Sequence, residues 1–290
     1  MSCPDCFSGT VNPGSPKGHV TTLHGLRTYV AEPEIPKDQI KGVVVIIPDA
    51  FGWEFVNNRI LADHYAEMGK FRVYLPDFMN GTAAPAWGID TLRAFFKTDT
   101  LWDWIAKPYH ITMMIYGVMP FMIGNRPTKS YPIVKAFFEA VRHSEQDGSL
   151  PLGAAGFCWG GKHTVLLARG TATTTVTNAD SGTTKKVPLI DAGFTGHPSL
   201  LALPGDVEKV TLPVSFALAE LDHALPQKGI ETIQKIMAEK EALGGEVKVY
   251  LGAGHGFCVR ADTAVEDSAR QCKESEEQAV EFFQRCFAKI

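Results

Sequence analysis

LPLGAAGFCWGGKHTVLLAR, residues 150–169, is the stretch whose reading decides the fold. An apolar run from Leu150 to Ala155 leads into Gly156-Phe157-Cys158-Trp159-Gly160-Gly161, and a helix-like segment, Lys162 to Arg169, follows, so Cys158 falls at a strand-to-helix corner. Hydrolases expose a nucleophile at such corners. The turn is sharp and strained, and it closes only if the residues two before and two after the nucleophile carry almost no side chain, as Gly156 and Gly160 do. It also aims the backbone N–H of Trp159, at the start of the helix, where a tetrahedral oxyanion would form. A free thiol has a pKa of about 8.5, so modest stabilisation of its anion yields thiolate at neutral pH. Taken alone, the hexapeptide suits a small buried Cys equally well.

An elbow of this kind needs an acid and then a His, each on the loop after a later strand. The run Leu212 to Ala219 reads as a short buried strand, and it is closed by Glu220, Leu221, Asp222 and His223. A further strand, Glu246 to Leu251, leads into Gly252-Ala253-Gly254-His255-Gly256-Phe257. The amphipathic segment Leu225 to Leu243 between them has the length of a crossover helix. The spacing from Cys158 to Asp222 to His255 therefore follows from one βαβ step each. A His between glycines is also an ordinary turn residue, but here it completes a set. Cys158 is expected as nucleophile, His255 as the base that takes and returns its proton, and Asp222 as the group that orients the imidazole.

Toward the N-terminus, Gly42 to Pro48 (GVVVIIP) is a continuous β-branched run typical of a central parallel strand. It ends in Asp49-Ala50-Phe51-Gly52, the loop from which the second oxyanion N–H originates in such folds, here on Ala50 or Phe51. Asp49 then points into the pocket close to the thiol, or alternatively caps a helix beginning near Glu54.

The PDAFG loop, the GFCWGG elbow, the acid after LPVSFALAE and the HGF segment together resemble the dienelactone hydrolase family, from about Thr21 to the C-terminus. The resemblance implies an α/β-hydrolase fold with a Cys-His-Asp triad that cleaves esters and lactones without a metal or organic cofactor. It also implies that the acidic residue at Asp49, usually Glu in the family, helps to ionise the thiol. Arg260, five positions after His255, is implied as a candidate for holding a substrate carboxylate. Phe51, Trp53, His197 and Phe257 complete the substrate-binding candidates. A satisfied structural His is the alternative for His197.

The chain of 290 residues, 45% apolar, is expected to form one α/β domain with a mostly parallel central sheet flanked by helices, preceded by a loop segment over residues 1–19. Strands are expected near Val20 to Ala31, at Phe71 to Leu75 and at Val187 to Phe194, with helices around Phe55 to Gly69 and Ala264 to Phe287. The Thr-rich stretch Thr171 to Thr184 reads as an exposed loop. Residues 82–129, rich in Trp, Phe, Met and Tyr, interrupt the alternation. The run 109–124 is too short and broken for a membrane span, so a buried helix or a cap over the active site is expected there.

A net charge of −4 with interspersed signs argues against nucleic acid as a partner. The N-terminus lacks the basic and apolar regions of a secretion signal, and six scattered cysteines do not form a disulfide framework. The expected compartment is the cytosol and the expected partner a small-molecule ester or lactone, with no membrane. Cys3 and Cys6 share a CxxC spacing, but no second pair completes a zinc site. Thioester hydrolysis or acyl transfer by the same triad is the nearest competing activity. A binding protein that retains the fold without turnover is the competing class. The sequence does not specify the oligomeric state.

Overall fold

The computed structural model describes residues 9–144, 149–177 and 184–290. Cys3 and Cys6 lie outside the described residues. The chain runs β1 (His19–Leu23), β2 (Leu26–Ala31), β3 (Val43–Ile47), α1 (Val56–Gly69), β4 (Arg72–Pro76), α2 (Trp87–Phe96), α3 (Leu101–Gly124) and α4 (Pro127–Arg142). It continues with β5 (Leu152–Phe157), α5 (Trp159–Leu167), β6 (Thr173–Thr177), β7 (Thr184–Pro188), β8 (Ala192–Gly196), α6 (Gly205–Glu208), β9 (Val214–Leu221), α7 (Gln227–Glu239), β10 (Glu246–Gly254), α8 (Phe257–Arg260) and α9 (Glu266–Phe287).

Eight strands form one sheet in the order β1-β2-β4-β3-β5-β8-β9-β10. His24 and Gly25, both at positive φ, make the tight turn of the β1–β2 hairpin. Beyond the antiparallel pair β2–β4 every neighbour is parallel. All residues of β3, β4, β5 and β8 are buried, which is why β3 and β5 are continuous apolar runs without alternation, while β4 and β8 bury Arg72 and Thr195 among apolar neighbours. Each buried Val or Ile of β3 contributes roughly 1.5–3 kcal/mol relative to exposure, enough to keep this strand central.

Helices cover both faces. A side chain at Gly153 would strike Phe283 of α9, and one at Gly156 would strike Thr164 of α5. Three residues apart on a strand means opposite faces, so α9, with α1 against it, packs on one side and α5 on the other.

Three expectations need correction. Within 171–184, Thr173–Thr177 is not loop but the strand β6, paired antiparallel with β7, because β-branched Thr favours extended backbone even where it is polar. The stretch 187–194 is split between β7 and β8. The apolar segment 109–124 is not a buried helix: within α3 only Gly117 and Phe121 are buried. Among the described residues no helix is long and apolar enough to cross a membrane.

Candidate active site

Cys158 stands between the last residue of β5 and the first of α5, with φ 51° and ψ −112°. A non-glycine residue in this region costs about 1–3 kcal/mol unless its surroundings hold it. Three backbone hydrogen bonds do so. The Cys158 N–H donates to the Gly196 carbonyl at 3.2 Å, and the Cys158 carbonyl accepts from Gly161 at 3.1 Å and from Ser199 at 2.9 Å. The flanking glycines are required by contact: a Cβ at Gly156 would lie 2.3 Å from the Gly160 carbonyl oxygen, and one at Gly160 would lie 2.0 Å from that of Ile47. The thiol is 2% exposed, and its Sγ is 3.7 Å from the Ser199 hydroxyl.

β9 ends at Leu221, whose pairing with Gly254 sets Asp222 beside His255 across the two strand ends. The Ala224 and Leu225 N–H groups donate to Asp222 Oδ1 at 2.8 and 3.3 Å, fixing the carboxylate. Both its oxygens stand 2.9 Å from His255 Nδ1. That leaves Nε2 for Cys158. Burial lowers the imidazole pKa, but the Cys158 charge, the hydrogen bonds to Asp222 and Cys158 and the Asp222 charge together raise it from 6.5 to about 10. His255 therefore adds to stability in full below pH 6.5, and this contribution is lost as the pH rises through about 10. In a Cys158→Ala variant the sulfur's charge and hydrogen bond are gone, and the His255 midpoint is expected to fall well below 10. Ring-nitrogen NMR checks this, and an unchanged midpoint would separate the two side chains.

Asp49, fully buried at the end of β3, faces the same sulfur from the other side. Burial pushes its carboxyl upward, Arg260 pulls it back, and the Cys158 charge adds to the rise. Arg260 forms a wholly buried ion pair with Asp49, and its guanidinium lies 5.2 Å over the Phe51 ring. Asn58 Nδ2 donates to Asp49 Oδ1 at 3.0 Å, and the Phe51 N–H donates to it at 3.2 Å. Asp49 is thus no helix cap: α1 begins only at Val56. Arg260, a candidate for gripping a substrate carboxylate, is paired through Nη1 with Asp49.

The remaining candidates separate. His197 packs edge-on against His255, centroids 4.9 Å apart, with Phe257 at 6.0 Å. Burial, then the positive charges of His255 and Arg260, keep its ring well below its usual pKa, hence neutral, and neither ring nitrogen has a hydrogen-bond partner among the described residues. Trp53 is buried, with the guanidiniums of Arg27 and Arg59 each 4.8 Å from its ring centroid. Ala50 is buried, and its carbonyl accepts from the Ala84 N–H at 2.8 Å. The Trp159 indole points away from the triad, donating to the Asn125 carbonyl at 2.7 Å and lying 4.2 Å from the His163 ring. His163, pushed to about 4 by burial, meets the Ser130 hydroxyl at 2.7 Å. Asn125, Ser130, His163 and Ser199 were not picked out by the sequence reading. Only Ser199 carried a signal, its place in the GHPS segment after a strand.

The whole arrangement is fit for acyl transfer: a sulfur, an imidazole and a carboxylate in series beside a helix N-terminus. The family model of the dienelactone hydrolase family matches residues 26–287. Among curated proteins the chain is 28% identical to hydrolase tropI of Talaromyces stipitatus, covering 98% of this chain and 95% of that one. It is 26% identical to dienlactone hydrolase 1 of Gibberella moniliformis, with 88% and 82% covered. A crystal structure of a putative dienelactone hydrolase from Klebsiella pneumoniae shares the fold, with a TM-score of 0.60, 17% identity, and 96% and 100% of the two chains covered.

Proposed function

We propose, for a chain that belongs to the dienelactone hydrolase family, that it hydrolyses esters or lactones by a cysteine mechanism with Cys158 as nucleophile. The observation that carries this reading is the relay in which Asp222 holds His255 Nδ1 at 2.9 Å and His255 bonds to Cys158 at a strained elbow. The Cys158 thiolate attacks the carbonyl carbon while the backbone N–H groups of Trp159 and Ala50 receive the developing oxyanion. The imidazolium of His255 protonates the departing alkoxide, leaving a thioester on Cys158. His255 then takes a proton from water, the hydroxide adds to the thioester, and collapse releases the acid and restores the thiolate.

Two charges bracket the sulfur in this scheme. His255, protonated to about pH 10, stabilises the thiolate, whereas the Asp49 carboxylate repels it, the opposite of the helping role that the family resemblance implies. Asp49 thereby sets how far the thiol is ionised, and Arg260 acts through Asp49 as a positioning residue. The aromatic surroundings formed by Phe51, His197 and Phe257 support a small, apolar or aromatic substrate. A reducing compartment such as the cytoplasm keeps the thiol available.

The test is direct. Incubation with 4-nitrophenyl acetate is expected to release 4-nitrophenol and to leave, on acid quenching, an acetyl adduct that peptide mass spectrometry places on Cys158. Turnover in which the adduct appears only on another residue would exclude this nucleophile.

A further inference from the structure

The outward face of α3 is the largest feature that the site leaves unused. Ten large apolar side chains of this helix are exposed, Trp102 at 76% and Tyr116 at 74% among them. α3 holds only two Lys, Arg, Asp or Glu residues: Asp103 closes a capping box with Thr100, and Lys107 Nζ lies at the edge of the face, over the Trp104 and Phe95 rings at 3.7 and 5.6 Å. With about 150–250 Å² for a wholly exposed aromatic side chain, the face offers on the order of 1,000 Å². A standard interface needs about 800 Å² per partner. Isolated soluble domains rarely leave so large an apolar patch uncovered.

The face is also complementary to itself. Beside it, between α2 and α3, runs an apolar groove of about 320 Å³ lined by Trp87, Phe95, Met114, Gly117, Val118 and Met122, among others. Aromatic anchors that fill such grooves dominate interfaces. The anchors, Trp102 and Trp104, stand at the N-terminal end of the same helix, and the groove flanks its C-terminal half. Thr112 lies at the midpoint of α3 and, at 100° per residue, at the centre of the exposed arc. Two α3 helices crossing antiparallel at Thr112 set Trp104 of each, 80° round the helix from Thr112, on the same flank and near the same height as Met122 of the other. Thr112 is small, and its hydroxyl is already bonded to the Pro108 carbonyl at 2.9 Å, so covering it leaves no orphaned polar group.

We propose that this face is the contact of a twofold-symmetric dimer, with a second copy of this chain as the occupant. A lipid surface fits less well, because interfacial helices rely on cationic flanks and the chain carries a net charge of −4.

The interaxial distance of packed helices, about 8–10 Å, less two Cα radii of about 2.3 Å each, brings the paired Thr112 Cα atoms within roughly 3.4–5.4 Å. This overlaps the disulfide range of about 4.4–6.8 Å. Thr112→Cys is therefore expected to yield a covalent dimer under mild oxidation, above the background of the unsubstituted chain. Sedimentation of the full chain at micromolar concentration should give twice the chain mass. Thr112→Glu, which faces two carboxylates across the axis, should raise the dimer dissociation constant at least about tenfold, with helix content and ester hydrolysis unchanged. A chain-mass species at every concentration without the Thr112→Cys link overturns the proposal. So does a dimer indifferent to Thr112→Glu, or binding to phosphatidylcholine vesicles by a protein that stays monomeric in solution.

Discussion

Cys158→Ala is expected to lower hydrolysis of 4-nitrophenyl acetate by at least about a thousandfold, the scale on which removal of a triad nucleophile acts when its partners remain. The loss should fall on kcat, since the elbow, the Trp159 N–H and the Asp222–His255 pair survive. Binding of a non-hydrolysable ester analogue should change little. Cys158→Ser sharpens the comparison. A hydroxyl hardly ionises at neutral pH, so it cannot form the charged pair with His255 and should recover only a small part of the rate. Stopped-flow release of 4-nitrophenol measures both, and activity within tenfold of the parent in Cys158→Ala would remove the sulfur from the mechanism.

Arg260→Met is expected to produce the largest loss of stability, about 3–5 kcal/mol, because it strips a fully buried carboxylate of its counter-charge. Asp49 already has a raised pKa, with burial as the leading cause and Arg260 opposing it, and without the guanidinium it rises further. The sign follows. The folded variant binds a proton that the unfolded chain, with a carboxyl near 3.8, has released, so its deficit is smallest in acid and grows as the pH rises through the folded-state value. Urea denaturation from pH 4 to 8 should show this slope. Asp49→Leu combined with Arg260→Met should recover most of the loss, since it removes both charges together. Equal losses in the single and double variants would mean that the damage is to packing and not to charge.

The sequence revealed the elbow because its requirement is steric and local. A strand, a single residue and a helix start follow one another in the chain, and the absence of side chains at Gly156 and Gly160 is visible in the letters. Asp222 and His255 are legible for a related reason, as each directly follows a segment that reads as a strand. The Asp49–Arg260 pair was not. Its members are 211 positions apart, and a charged residue gives no sign in sequence that its side chain will be wholly buried. The Ser130–His163 contact and the Trp159 bond to Asn125 are silent for the same reason. The composition of α3 suits a buried helix or a cap over the active site alike, and its letters do not show that most of its large apolar side chains are exposed. Thr173 to Thr177 misled in the opposite sense, polarity being taken for a loop where β-branching decides.

Trp159 joins two duties in one residue: its backbone amide lies at the elbow, and its indole N–H is anchored 2.7 Å from the Asn125 carbonyl, just past the end of α3. Anyone grafting the helices of another hydrolase onto this scaffold must bring a carbonyl acceptor to the same point, or exchange the indole for a side chain without an N–H. A chimaera that does neither would strand a polar donor next to the elbow amide, and is expected to lose rate although Cys158, His255 and Asp222 had all been kept.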